Sequence, residues 1–141
     1  MRNVENLFER YGESHRDPVN KAIHWVCVPL ITWSVLAALW AWSPVAAYVA
    51  IALALAFYVW LSPALAIGML GVIAAMVYPL RLLGNHVLFV AGSVFVLAWI
   101  GQFIGHVVEG RKPSFLEDVK FLLIGPVWLL GFVYRRVGLA Y

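Results

Sequence analysis

Four apolar runs, set almost end to end, decide what this chain can become. They cover residues about 20–42, 45–61, 64–80 and 86–107, with hardly a charge inside them. Each is about 17–23 residues long, near the ~20 residues a helix needs to cross the hydrocarbon core of a bilayer. Two joints are Ser-Pro pairs, Ser43-Pro44 and Ser62-Pro63, and the third is a short loop over residues 81–85. A helix that is apolar all round has no face to show to water, so it must be buried in protein or in lipid. The whole chain is 64% hydrophobic and 12% charged, against about 45–50% and about 25% in soluble domains. The expected fold is therefore all-α. It is a polytopic membrane helix bundle of about four transmembrane helices, built as one domain over residues 1–141. The second and third runs are the shortest and also fit a shallow hairpin.

The flanks differ from the runs. Residues 1–16 are polar and amphipathic: Val4, Leu7, Phe8 and Tyr11 follow i, i+3, i+4, i+7 spacing, which marks one helix face. This predicts an N-terminal amphipathic helix that lies on the membrane surface or caps the bundle, ended by Asp17-Pro18. The stretch is too charged for a cleaved signal peptide. Residues 108–120 are a charged loop that includes Glu117 and Asp118. A last apolar run, about 121–134, is too short to span and predicts a C-terminal re-entrant or interfacial helix.

Charge gives the expected orientation. Arg2, Arg10, Arg16 and Lys21 lie before or at the very start of the first run, and Arg111, Lys112, Lys120, Arg135 and Arg136 follow the fourth. Four crossings put all nine on one side, leaving Arg81 on the other, which predicts both termini on the cytoplasmic side. No basic run with interleaved aromatics points to nucleic acid. The single cysteine, Cys27, excludes an internal disulfide and reads as a small buried hydrophobe. There is no glycine-rich phosphate loop, Cys-rich zinc pattern or G-x-S-x-G serine motif.

The same topology gathers the residues that can carry chemistry. His15 and His24 fall at the entrance of the first run, and His106 and Glu109 at the exit of the fourth, on one side of the membrane. Ionisable groups at such depth are expensive and functional by default, and neutral imidazole is a common metal ligand. His106 and Glu109 share a helix face, as do Tyr11 with His15 and Asn20 with His24. His15 and His24 are nine residues apart and would point opposite ways on one helix, at ~100° per residue. The Asp17-Pro18 break lets His15 come from the surface helix and His24 from the span. Tyr11, Asn20 and Gln102 are candidates for orienting the ligands or the bound group. Gly101 and Gly105 form a G-x-x-x-G that allows close helix approach. His86 lies ~30 Å from His106 along a helix and is left out. Imidazoles with a carboxylate and no thiolate suit Fe(II), Mn or Zn. Two other readings stay open: a haem-binding electron-transfer protein with His24 and His106 as axial ligands, and a non-enzymatic lipid-binding or scaffold protein.

Two motifs carry a resemblance. The first is Tyr11-x3-His15-x-Asp17-Pro18-x-Asn20-x3-His24-x4-Pro29. The second is Trp99-x2-Gln102-Phe103-Ile104-Gly105-His106-x2-Glu109-Gly110-x2-Pro113, followed by Gly125-Pro126. Together they resemble the small membrane proteins related to the 2-hydroxy fatty acid dioxygenase of fatty acid α-oxidation. The resemblance implies an Fe(II)-dependent enzyme that takes a 2-hydroxy fatty acid and O2 to a fatty acid one carbon shorter. It also implies His15, His24 and His106 as the iron ligands. On that reading Arg16, Lys21 or Lys112 would attract the substrate carboxylate. Membrane lipid is the expected surrounding, and no oligomeric state is assigned.

Overall fold

The computed structural model describes residues 3–112 and 120–141. Within them the chain is all-helical. Its order is α1 (Asn3–Gly12), α2 (Pro18–Trp42), α3 (Pro44–Leu61), α4 (Pro63–Leu83), a 3-10 turn (Gly84–His86), α5 (Val87–Glu109) and α6 (Phe121–Arg136). The charges at Arg2, Glu117 and Asp118, and Pro113 of the second motif, lie outside the described residues.

The Ser-Pro joints turn the chain with a single residue each. Ser43 and Ser62 adopt extended backbone, with φ −162° and −166°. Each serine closes one helix by donating its N–H, to Leu39 and Tyr58 respectively. Each opens the next by accepting from Ala46 or Leu65 at its side chain, with proline at the first helical position. The side-chain cap and the proline suit a helix start, where N–H groups lack partners.

The third joint corrects the sequence expectation. Residues 81–83, assigned to a loop, are still helical, because nothing after Pro79 breaks the helix until Gly84. Gly84 stops it with φ 57°, a conformation that disfavours any residue with a Cβ.

Three stretches are long and apolar enough to cross a membrane: Pro18–Trp42, Pro44–Leu61, and Pro63–Glu109, which contains α4, the turn and α5. Only 33%, 17% and 22% of their apolar windows is buried within the protein. The remaining apolar surface, with Trp42, Phe89 and Val107 more than three-quarters exposed, needs an apolar surrounding.

Two apolar clusters hold the ends. At one end Leu36, Ala37, Ala47, Leu80, Val87 and Ala91 join α2, α3, α4 and α5, with Trp33 Nε1 donating to the Met76 carbonyl at 3.0 Å. At the other, α1 and α6 close over the α3–α4 turn. The predicted face of α1 (Val4, Leu7, Phe8, Tyr11) is buried against Ile124 and Val127 of α6 and Leu65 of α4, so this helix caps the bundle. Tyr58 of α3 donates to the Leu123 carbonyl of α6 at 2.8 Å, and Tyr134 of α6 donates to Ala64 of α4 at 2.8 Å.

The seam between α2 and α5 positions the site, and its glycines explain its tightness. A Cβ on Gly101 would stand 2.7 Å from Cys27 Sγ, and one on Gly105 would overlap Asn20 Oδ1. Asn20 cannot move aside, because its amide nitrogen is tied to Ser14 O at 3.0 Å and to Glu109 Oε1 at 3.1 Å. Gly105→Ala is therefore expected to destabilise the protein by roughly 1–3 kcal/mol, the usual range for overpacking. Gly92→Ala, on the same helix facing open space, serves as the control. Thermal melts in detergent compare the two.

Candidate metal centre

Three elements bring one histidine each to the capped end of the α2–α5 seam. His24 stands on α2, whose first turn is capped by the Asp17 carboxylate (2.8 Å to Val19 N, 3.3 Å to Asn20 N). His106 stands in the last turn of α5, whose end is fixed by Gly110 at φ 75°. His15 does not come from the N-terminal helix, as its spacing from Tyr11 predicts. That helix stops at Gly12, before Asp17-Pro18, and His15 lies in the connector. Gly12 is a poor helix former. The chain leaves the helix through tight turns, Ser14 N to Tyr11 O (3.3 Å) and His15 N to Gly12 O (3.0 Å).

The three imidazoles are buried, at 1%, 0% and 4% exposure for His15, His24 and His106. Their ring centroids are 4.2 Å (His15–His24), 4.8 Å (His24–His106) and 5.1 Å (His15–His106) apart, all edge to face. One nitrogen from each lies within 4.8 Å of the others. Two tautomers follow from their partners. His15 Nδ1 is 2.6 Å from Tyr11 O, and His24 Nδ1 is 2.9 Å from Asn20 O. A carbonyl only accepts, so both Nδ1 atoms carry the proton and both Nε2 atoms keep a lone pair. His15 Nε2 finds no protein partner, and neither does His106 Nδ1. His24 Nε2 is 3.1 Å from His106 Nε2.

This arrangement fits a metal ion. A ring N–H held by a backbone carbonyl, leaving the other nitrogen free, is the usual setting of a ligand histidine. Two nitrogens on one ion, each at about 2.1 Å, are separated by about 3 Å when they meet at a right angle. Burial alone, with no acceptor for His15 Nε2, would be costly. The haem reading does not fit: axial ligands stand on opposite sides of a porphyrin, and two nitrogens 3.1 Å apart leave no room for one.

Burial pushes the His15 imidazole down from its ordinary 6.5 to about 4; the Tyr11 carbonyl opposes the shift and His106 and Lys21 add to it. The ring is neutral at physiological pH, as a ligand must be. Because its folded value is depressed, the unfolded chain binds the proton first, and stability falls with pH. Metal-free protein is expected to melt at progressively lower temperature as pH drops from 6.5 towards 4, and a His15→Gln variant is expected to flatten that dependence. Melts of chelator-treated protein across this range provide the check.

The remaining sequence-predicted residues fall into two groups. Tyr11 stacks on His15 (centroids 4.1 Å, planes 12° apart), and burial raises its phenol above the ordinary value. Gln102, one helical turn before His106, is buried and lines the cavity with an unpartnered Oε1. Asn20 and Glu109 stand outside the imidazole cluster. Glu109 Oε1 accepts from Asp17 N at 2.8 Å and from Asn20 Nδ2, so it pins the end of α5 to the connector. Arg111, reaching Glu13 O at 3.3 Å, adds a second tie. His86 is exposed on the 3-10 turn at the opposite end of the bundle. Arg16, Lys21 and Lys112 are exposed and line no part of the cavity.

The apolar run at 121–134 predicts a C-terminal helix, and α6 is there (Phe121–Arg136); what sequence reasoning missed is that it walls the site. Its Trp128 ring lies 5.5 Å from His15 and 5.1 Å from Tyr11, walling the cluster. Gly125 lets it close in, since a Cβ there would come 3.0 Å from the Tyr11 hydroxyl. One tryptophan among seven gives no signal of its own. The cavity in front of the histidines is about 40 Å³, between α2, α5 and α6. That is room for an ion and a few small ligands, given ~10–15 Å³ per water on the same measure.

No curated protein and no solved structure matches this chain. A family model does, over residues 1–137, and its description is 2-hydroxy-palmitic acid dioxygenase Mpo1-like. With nearly the whole chain inside the match, and both histidine motifs with it, the chain belongs to the 2-hydroxy-palmitic acid dioxygenase Mpo1-like family.

Proposed function

We propose that this protein is a membrane-bound Fe(II)-dependent dioxygenase that shortens 2-hydroxy fatty acids by one carbon, using O2 as oxidant. The observation that carries the reading is the buried cluster of His15, His24 and His106, open on one side to an apolar-walled cavity. Family membership supports the reaction class. Iron, when bound, supplies the one-electron chemistry that lets O2 react with a closed-shell organic acid. His15, His24 and His106 would hold the ion with three donors, one fewer than a closed structural site uses.

The chain's own residues have definite tasks. Tyr11 O and Asn20 O hold the His15 and His24 rings with Nε2 deprotonated. Glu109 and Asn20 fix the distance between α5 and the connector, and so between His106 and His15. Gln102 offers an unpaired acceptor to the cavity, suited to a substrate hydroxyl. Trp128 and Phe121 keep bulk water from the cluster. Arg16, Lys21 and Lys112 are exposed cations that draw the carboxylate towards the site.

The whole chain acts as one membrane unit. The α2–α3–α4–α5 order supports four crossings, with both termini and the site at the cytoplasmic face, because nine of ten basic residues then lie there. Detergent-purified protein, reconstituted with Fe(II), is expected to consume one O2 per 2-hydroxy fatty acid and release the acid with one carbon fewer, the lost carboxyl leaving as CO2 and the remaining oxygen as water. Mass spectrometry of the products and oxygen uptake decide it. Iron-replete protein that leaves 2-hydroxy acids untouched rules the reading out.

A further inference from the structure

Thr32 lines both the metal cavity and a second, apolar cavity. The second, about 130 Å³, runs from Thr32 and Leu123 between α2, α3 and α4 to Leu39 and Met76. No charged residue lines it. Its two hydroxyls are already used: Thr32 donates to Val28 O at 2.9 Å, and Tyr58 donates to Leu123 O at 2.8 Å. The wall therefore asks nothing of water and suits hydrocarbon. Met69 and Met76 give it an adaptable side. Larger grooves beside Arg81 and beside Trp42 share no residue with the metal cavity.

We propose that this second cavity holds the acyl tail of the lipid substrate, entering past Thr32 with the polar head at the histidines, and that its far end sets chain-length preference. The proposal rests on the reading of the site as acting on 2-hydroxy fatty acids. From His24 to Leu39 the path along α2 is about 22 Å at 1.5 Å per residue, enough for a long extended acyl chain. The tail lies along the groove between α2, α3 and α4.

Ala54 and Ala50 line the path from α3. Ala54, one turn nearer Tyr58 and the site, is closer to the entrance by about 6 Å. In Ala54→Phe and Ala50→Phe, turnover of long-chain 2-hydroxy acids is expected to fall about tenfold or more, the scale for lost methylene room. Short-chain turnover is expected to fall far less, and iron content to match wild type. The cut-off for Ala54→Phe is expected at a shorter chain than that for Ala50→Phe. Unchanged preference in both iron-loaded variants overturns the proposal.

A second measurement covers variants that fail to fold. A 2-hydroxy acid with a photoreactive group at its terminal carbon, bound to wild-type protein in detergent, is expected to label α4 near Met69 and Met76. Labelling only of outward residues such as Leu53 or Phe89, or equal labelling of the groove by a phospholipid bearing the same group, overturns it. If wild-type protein turns over no 2-hydroxy acid, the proposed function fails, while the labelling still tests the tail site.

Discussion

His106→Ala protein is expected to purify without iron and to leave 2-hydroxy fatty acids unchanged. Disturbing a residue that merely supports a metal ligand costs about 10–100-fold in affinity, so losing a ligand outright should exceed about 100-fold. His15→Ala and His24→Ala should behave alike, because each supplies one of three nitrogens within 4.8 Å. The informative comparison is stability with and without metal. His106 Nδ1 has no partner, and the ring's polar side-chain contact is with His24 Nε2. If its role is to bind metal, the metal-free melting temperature of His106→Ala should stay near that of metal-free wild type. The increment that Fe(II) gives to wild type should vanish, since stabilisation by a ligand scales with its affinity for the folded state. A structural histidine predicts the reverse: a lower metal-free melting temperature and an intact iron increment. Iron analysis and melts with and without chelator separate the two.

Asn20→Asp is expected to be the most damaging isosteric change in the protein. Asn20 is fully buried, and its amide nitrogen faces two acceptors, Ser14 O and Glu109 Oε1. Aspartate turns that donor into a third acceptor and sets a second carboxylate about 3 Å from the first. Uncompensated buried charge of this kind costs roughly 3–5 kcal/mol. The pH dependence fixes the cause. Two neighbouring carboxylates raise the folded pKa of one above its unfolded value, so the folded state binds more protons. Stability of the variant should therefore rise as pH falls, opposite to the wild-type trend set by His15. Adding Glu109→Gln, which restores a donor at that position, should recover much of the loss. A double-mutant cycle on thermal stability measures the coupling.

Much of this was legible in the chain. The alternation of apolar runs with Ser-Pro joints determined the helices, because proline and a serine cap favour a helix start wherever they fall. The i, i+3, i+4, i+7 face of α1 was readable for the same reason: helix periodicity is local. The G-x-x-x-G over Gly101 and Gly105 pointed to close helix approach, and the structure supplies the partners, Cys27 and Asn20. The shared location of His15, His24 and His106 was legible too, since a chain that crosses and returns brings run ends together.

Other features depended on where helices end and how side chains fill the space between them. The sequence pattern carried α1 to Asp17-Pro18; the structure ends it at Gly12 and places His15 on a connector, so that its ring can fold back on Tyr11. Glu109 shares a face with His106 in sequence, yet its carboxylate turns to Asp17 N, at the end of the connector, and to Asn20 Nδ2, on α2, because both donate to it. The wall of the site from Trp128 comes from α6, about a hundred residues from His24. By itself, the sequence determined an apolar helical chain with three histidines at one end, because burial and periodicity act over neighbouring residues. Only the tertiary structure decided which nitrogens converge, what holds each ring, and which helices wall the cavity. Those are distances between segments far apart in the chain, set by packing across the α2–α5 seam and under α6.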